Sequence, residues 1–177
     1  MFSLFKVLLS LVAIIRYLKT NDEIILKEQV QMKTIYKIED PELVNGYKNF
    51  NRHVKGRLKK MKERGHDVCD YTGIHKCQLA DAYRYFNNTC AFSNKSLTFD
   101  NKSLDHLVPL INGGKNKIWN IVPMDRFANG DKSDIDLNTW YEKQNYYDKR
   151  NLLYIFDYQI YMFIKYADLE SDILILI

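Results

Sequence analysis

The sequence predicts an α+β domain, and three observations lead there. Between Leu104 and Val122 the apolar residues fall into two short runs separated by turn chemistry. The segments on either side carry apolar residues at helical spacing. The chain of 177 residues is 46% hydrophobic and 27% charged, a balance that can bury one core and is not that of a disordered polymer. Its length suits one compact domain with appendages. With only 7 Gly and 3 Pro, and no internal period, collagen-like, low-complexity and repeat architectures are excluded. The formal net charge of +4 suits a polyanionic partner. Cys69, Cys77 and Cys90 are odd in number and unevenly spaced. That argues against a disulfide scaffold and for a reducing cytosol.

Taken in order, the chain opens with an apolar leader, residues 1–31. Its uncharged stretch Val7–Ile15 is bracketed by Lys6 and Arg16 and falls short of the roughly 20 residues that a membrane span needs. It has the length of a signal-peptide centre, but Arg16-Tyr17-Leu18-Lys19 follows instead of a small-residue cleavage site. An export segment, an apolar helix and an extension ahead of a natural start at Met32 all remain open. A basic segment, residues 32–76, comes next. From Arg52 to Arg64 it holds seven basic residues against Glu63 alone. Val54, Leu58 and Met61 recur there at helical spacing, which predicts a helix with one buried stripe and a cationic surface. Lys55, Arg57, Lys59, Lys60 and Lys62 are its candidate phosphate contacts, salt-dependent and indifferent to sequence. A solvated helix face is the plain alternative.

The third zone, residues 77–146, carries the chemistry. Leu79, Ala82, Tyr83 and Phe86 share a helical face, and Asn87-Asn88 supplies the stop. Leu104 to Leu110 reads as a strand stopped by Pro109, and Asn112-Gly113-Gly114 as a turn. Ile118 to Val122 reads as a second strand, and Met124 opens a short helix that Gly130 ends. In the final zone, residues 147–177, Leu152, Phe156, Ile160, Phe163 and Ala167 form a stripe widened by Tyr154, Tyr158 and Tyr161. Such a stripe is core or a partner interface. The end, residues 173–177, is apolar and packs on the body or continues a strand.

Asp105-His106 puts a hard oxygen ligand beside an imidazole that can accept a proton near neutral pH. Asn120 follows His106 by fourteen residues, and Asn129 follows Asn120 by nine, on the helix, where its amide oxygen can face the same cation. Carboxylate, carbonyl and water oxygens favour Mg²⁺ or Mn²⁺ over softer ions. Consecutive strand residues point to opposite faces, so Asp105 and His106 share a site only where the strand bends or ends.

Asp105-His106-Leu-Val-Pro, Gly113-Gly114, Asn120-Ile-Val-Pro and Asn129-Gly-Asp-Lys132 together resemble the HNH endonucleases. Tyr83 to Phe86 followed by Cys90-Ala-Phe-Ser is similar to the lead-in of phage and homing members. The run from Asn129 to Asp134 is similar to the HNH domain of the RNA-guided CRISPR effector. The resemblance covers about Tyr83 to Asp134, with a weaker echo at Trp140-Tyr141. It implies a ββα-metal hairpin and helix with flanking helices, and metal-dependent cleavage of double-stranded DNA. His106 would be the general base, and Asp105 and Asn129 the ligands of Mg²⁺ or Mn²⁺. Asn120, grouped with His106 in the catalytic unit, would fix the hairpin and the histidine's orientation. Lys132 would lie near the phosphates. The family's zinc-binding Cys pairs are missing, so no structural zinc is expected, and neither a protein partner nor a membrane is implied. The expected setting is the cytosol of a host carrying a phage or mobile element. Two rivals stand beside this reading: an exported, non-specific nuclease of the same fold, and a DNA-binding module without turnover.

Overall fold

The computed structural model describes residues 41–167, so the apolar leader, Met32 and the apolar tail lie outside the described residues. Helix α1, Pro41–Glu63, opens on proline, whose fixed φ and missing N–H suit a first helical position. It is longer than the basic pattern predicts and closes at Gly65, left-handed at φ 81, with His66 N–H donating to Met61 O at 3.1 Å. Val54, Leu58 and Met61 are buried as predicted, against Val68 and Leu110. Asn51 fastens the helix to the next segment. Its amide nitrogen donates to Ile74 O at 2.8 Å, and its oxygen accepts from Ile74 N at 2.9 Å.

Helix α2, Lys76–Tyr85, is capped by His75 and Gln78 acting reciprocally, and buries Leu79 and Ala82. Asn87 and Asn88, at φ 50 and 57, end it in the left-handed region where asparagine is tolerated, as the sequence indicates.

Strand β1, Lys102–His106, pairs antiparallel with β2, Ile121–Asp125, in a register that sets His106 opposite Ile121 and Lys102 opposite Asp125. Both strands are displaced from their sequence-based bounds. Pro109 and the turn at Leu110–Asn112 take the residues expected to prolong β1, while Ile118–Asn120 forms a second 3₁₀ turn ahead of β2. Apolar turn residues such as Ile118 are indistinguishable from strand by hydropathy. Helix α3, Arg126–Lys132, starts on Asp125, whose carboxylate accepts from the N–H groups of Phe127 and Ala128. Gly130 lies inside it and does not end it.

Helices α4, Leu137–Tyr141, and α5, Lys149–Tyr166, close the domain from behind the hairpin. The buried face of α5 is not the expected stripe. Asn151, Ile155, Tyr158 and Met162 are inside, while Phe156 and Ile160 are 40% and 43% exposed. Two polar-tipped residues decide the rotation. Asn151 donates to Ala91 O at 2.7 Å and Phe92 O at 2.9 Å, and Tyr158 directs its hydroxyl at Ile121 O, 2.6 Å away. Among the described residues the architecture is thus mixed helix with a two-stranded antiparallel sheet, the α+β class expected. No helix among the described residues is long and apolar enough to cross a membrane.

The turn between the strands needs glycine at one point for lack of space. A Cβ on Gly114 would lie 1.9 Å from Val108 O, whereas one on Gly130 would meet nothing within 4 Å. Gly114→Ala should therefore cost about 2 kcal/mol or more in urea unfolding. Gly130→Ala, inside a helix, should be neutral or stabilise by up to about 1 kcal/mol. Equal effects at the two positions would contradict this account of the turn.

Candidate active site

The loop joining the strands folds around the side chain of Asn120. Its oxygen accepts from Val108 N at 2.9 Å, and its nitrogen donates to Val108 O at 3.0 Å and Lys115 O at 2.9 Å. The backbone adds Leu107 N to Asn120 O at 2.9 Å. A buried amide with its donors and acceptor engaged closes the loop and fixes where β1 ends. Asn120 thus holds the hairpin, but its side chain is used up on the backbone and does not touch the histidine ring.

The ring is held by Asn116, which the sequence reading did not single out. His106 Nε2 lies 2.9 Å from Asn116 Oδ1, while the Asn116 nitrogen donates to Thr72 O. Since that nitrogen faces a carbonyl, the oxygen must face the ring, and an oxygen cannot donate. Nε2 therefore carries the proton, and Nδ1 keeps its lone pair. Phe50 of α1 stacks on the imidazole at 5.9 Å and 24°. His106 is only 9% exposed, and burial, ahead of repulsion from Arg57 and Lys132, lowers its pKa to about 4. The imidazole is neutral at physiological pH, the form a base requires.

Asp105 turns the other way along the strand, towards α3. The fully buried Lys132 places its ammonium 2.8 Å from Asp105 Oδ2 and donates to His106 O at 3.0 Å. The ammonium has three N–H groups, so it serves His106 O and pairs with Asp105 Oδ2 at once. Burial pushes the carboxyl above its ordinary range, and Lys132 offsets this only in part. Asn129 donates to Ser103 Oγ at 2.7 Å and Leu104 O at 3.1 Å, which leaves its oxygen without a partner among the described residues. Asp105, His106 and Asn129 line one cavity of about 740 Å³, so the strand's end and α3 unite groups that strand alternation alone would separate. The Asp105 carboxylate, though ion-paired with Lys132, and the Asn129 amide oxygen form a hard donor set that suits Mg²⁺ or Mn²⁺, which need few protein ligands and keep several waters. Among the described residues no three His, Cys, Asp or Glu side chains cluster as a metal site.

The basic candidates fare unevenly. Lys132 is a buried counter-ion and does not present its charge to a surface ligand, a correction to the phosphate role expected from its position. On α1, Lys55 lies over the Tyr71 ring, Arg57 pairs with Asp134, Lys59 with Glu63 and Lys62 with Asp70. Lys60 has no such partner among the described residues. Charge counting along one helix cannot register acids supplied by later segments. Arg126, an exposed cation at the start of α3, lines the cavity.

No family model matches the chain, and no curated protein does. Among solved structures, the type II-C Cas9 enzyme from Actinomyces naeslundii is similar at 15% identity and a TM-score of 0.37. The match takes in 73% of this chain and 15% of that enzyme's length.

Two outcomes follow for the histidine. In ¹⁵N-resolved spectra His106 should show a single tautomer with the proton on Nε2, and Asn116→Ala should convert it to a mixture. An unchanged tautomer would remove Asn116 from this role. In the second, His106 titrates near 4 when folded, against 6.5 for the ordinary group. Between those values the unfolded chain binds the proton and the folded chain does not, so stability falls as pH falls through the window and levels off below it. Relative to His106→Gln, the wild type should lose roughly 1–3 kcal/mol between about pH 7 and pH 4. Parallel urea-unfolding profiles for the two proteins would contradict it.

Proposed function

We propose that this chain is a metal-dependent DNA endonuclease of the HNH type, built on a ββα-metal hairpin and helix. One observation carries the reading. A buried, neutral histidine with its Nδ1 lone pair free shares a cavity with the oxygens of Asp105 and Asn129, on a strand–loop–strand–helix unit clasped by an asparagine. Phosphodiester hydrolysis needs such a base and such a cation site.

In this mechanism His106 Nδ1 removes a proton from water while the water oxygen bonds to phosphorus. The bond from phosphorus to the 3′ oxygen breaks, and that oxygen takes a proton from solvent. The products are a 5′-phosphate and a 3′-hydroxyl. Asn116 keeps the accepting nitrogen bare, and Phe50 holds the ring plane. Asp105 and Asn129 would hold Mg²⁺ or Mn²⁺, which when bound supplies positive charge against the developing negative charge on the phosphate and leaving oxygen. Duplex DNA would be gripped by the cationic side of α1, sparing sequence choice.

A non-catalytic DNA-binding module is favoured by a different observation, the Lys132 ammonium already beside Asp105. Plasmid nicking with purified protein separates the two. Wild type should nick supercoiled DNA in Mg²⁺ or Mn²⁺ and stop with chelator while remaining folded. His106→Ala should reduce the rate by about 10²–10⁴-fold with DNA binding retained. Asp105→Asn and Asn129→Ala should raise the metal concentration needed. Absence of metal-dependent nicking would favour the module reading, while a wild-type rate in His106→Ala would remove His106 from the role of base. Replacing Lys55, Lys59, Lys60 and Lys62 with Gln should flatten the salt dependence of duplex binding by up to about 0.9 in log–log slope per lost contact. An unaltered slope would put the grip elsewhere.

A further inference from the structure

The groups assigned to the chemistry are recessed. Asp105 and His106 are each 9% exposed, and Phe50 lies across the imidazole. Access is through the cavity of about 740 Å³. One wall is a single face of α1, where Tyr47, Phe50, Val54 and Arg57 follow at spacings of three, four and three. The opposite wall is β1 and α3. That volume falls within the roughly 300–1,000 Å³ of pockets that enclose a small molecule. Duplex DNA is a rod with a persistence length of about 50 nm, its bases stacked inside and its phosphates on the outer rim. Such a rod keeps its phosphates on its rim, whereas one unstacked strand can thread a cleft walled by a helix.

The lining has the chemistry of a nucleotide site. Among the described residues Arg57, Lys102 and Arg126 face it with Asp105 as the only acid in the lining, Arg57 being also paired with Asp134, so the wall is on balance cationic. Phe99 stands in the same lining, 65% exposed, with the Lys102 ammonium 5.4 Å from its ring centre. A large apolar ring left in water beside a cation is the arrangement that takes a base on the aromatic face and its phosphate on the charge.

From this juxtaposition we infer that the strand to be cut enters the cleft as a single DNA strand. The nucleotide beside the scissile phosphate is unstacked from its neighbours and seated against Phe99, with Arg126 and Arg57 on the backbone. The inference rests on the nuclease reading and gives it a substrate class: single-stranded DNA, or duplex locally opened at the site. Opening a paired base costs least at a mismatch or gap. The duplex grip proposed for α1 then holds DNA near the cleft without itself delivering the phosphate.

The test uses the full chain and three fluorescent oligonucleotides of one sequence: single strand, full duplex, and duplex with a central unpaired stretch. Binding by anisotropy in chelator isolates recognition from cleavage. The single strand and the opened duplex should bind more tightly than the closed duplex. Phe99→Ala, or an abasic residue at the cleavage position, should weaken the single strand about 5–150-fold, the usual range for one stacked base. The abasic strand keeps the wild-type protein, so it reports stacking even if the variant folds poorly. Closed duplex bound as tightly as single strand, with no response to the abasic site, overturns the inference. So does tighter binding of the same sequence as RNA. Cleavage in Mg²⁺ is scored separately. Single strand bound in the cleft but never cut sustains the inference and removes the nuclease reading, and closed duplex cut without strand preference does the reverse.

Discussion

The side chain of Asn120 is the constraint on which the site depends. Two strands of five residues are marginal as a sheet by themselves. The loop between them would leave backbone groups without partners in the interior, at a cost of about 1–3 kcal/mol each. One amide answers three of them, on Val108 and Lys115, and in doing so ends β1 at His106. From the other side of the sheet, Tyr158 of α5 directs its hydroxyl at Ile121 O, where β2 begins. The hairpin is therefore pinned at its loop by asparagine and at its back by tyrosine. The position of His106 is inherited from both.

How much of this is legible in the sequence depends on how local each cause is. The histidine, its neighbouring aspartate, the paired glycines and the two asparagines stand out because their side chains work within one supersecondary unit. The need for glycine at Gly114 is likewise local, set by Val108 O a few residues away. Strand limits are less legible, because Ile118 is buried in a 3₁₀ turn and serves the core as it would in a strand. The face of α5 is illegible by hydropathy. Its buried positions include Asn151 and Tyr158, chosen for the carbonyls they reach in Phe92 and Ile121, and the greasier Phe156 and Ile160 are left outside. Asn116 is hidden for the same reason: its value lies in joining Thr72 to His106, which only the folded chain brings together.

Helix α1 links the basic segment to the chemistry in a way that charge alone does not suggest. Its apolar stripe packs on Leu110, a residue of the hairpin loop, and Asn51 ties it to Ile74. Its neighbouring face then presents Phe50 to the imidazole and Arg57 to the cavity and to Asp134. A helix read as a surface grip is also the wall that dries the histidine. Drying keeps the ring neutral, since the imidazolium loses more on leaving water than the imidazole does. The same drying raises the pKa of Asp105, so a counter-charge is needed there.

Lys132 supplies that charge, and its placement sets the terms on which a metal can bind. A buried ammonium is tolerated only with compensation, and here it has Asp105 Oδ2 and His106 O. The partners are bound to each other's protonation: remove either, and a charge is stranded in a dry site at a cost of about 3–5 kcal/mol. A divalent ion ligated by Asp105 would place two further positive charges near the ammonium. Attraction to the single carboxylate would then be partly offset by Lys132, and a ligand could supply the negative charge that restores the balance. A phosphodiester provides it. By this reasoning a metal and a substrate phosphate would favour each other at the proposed site, because each would relieve the electrostatic deficit that the other creates.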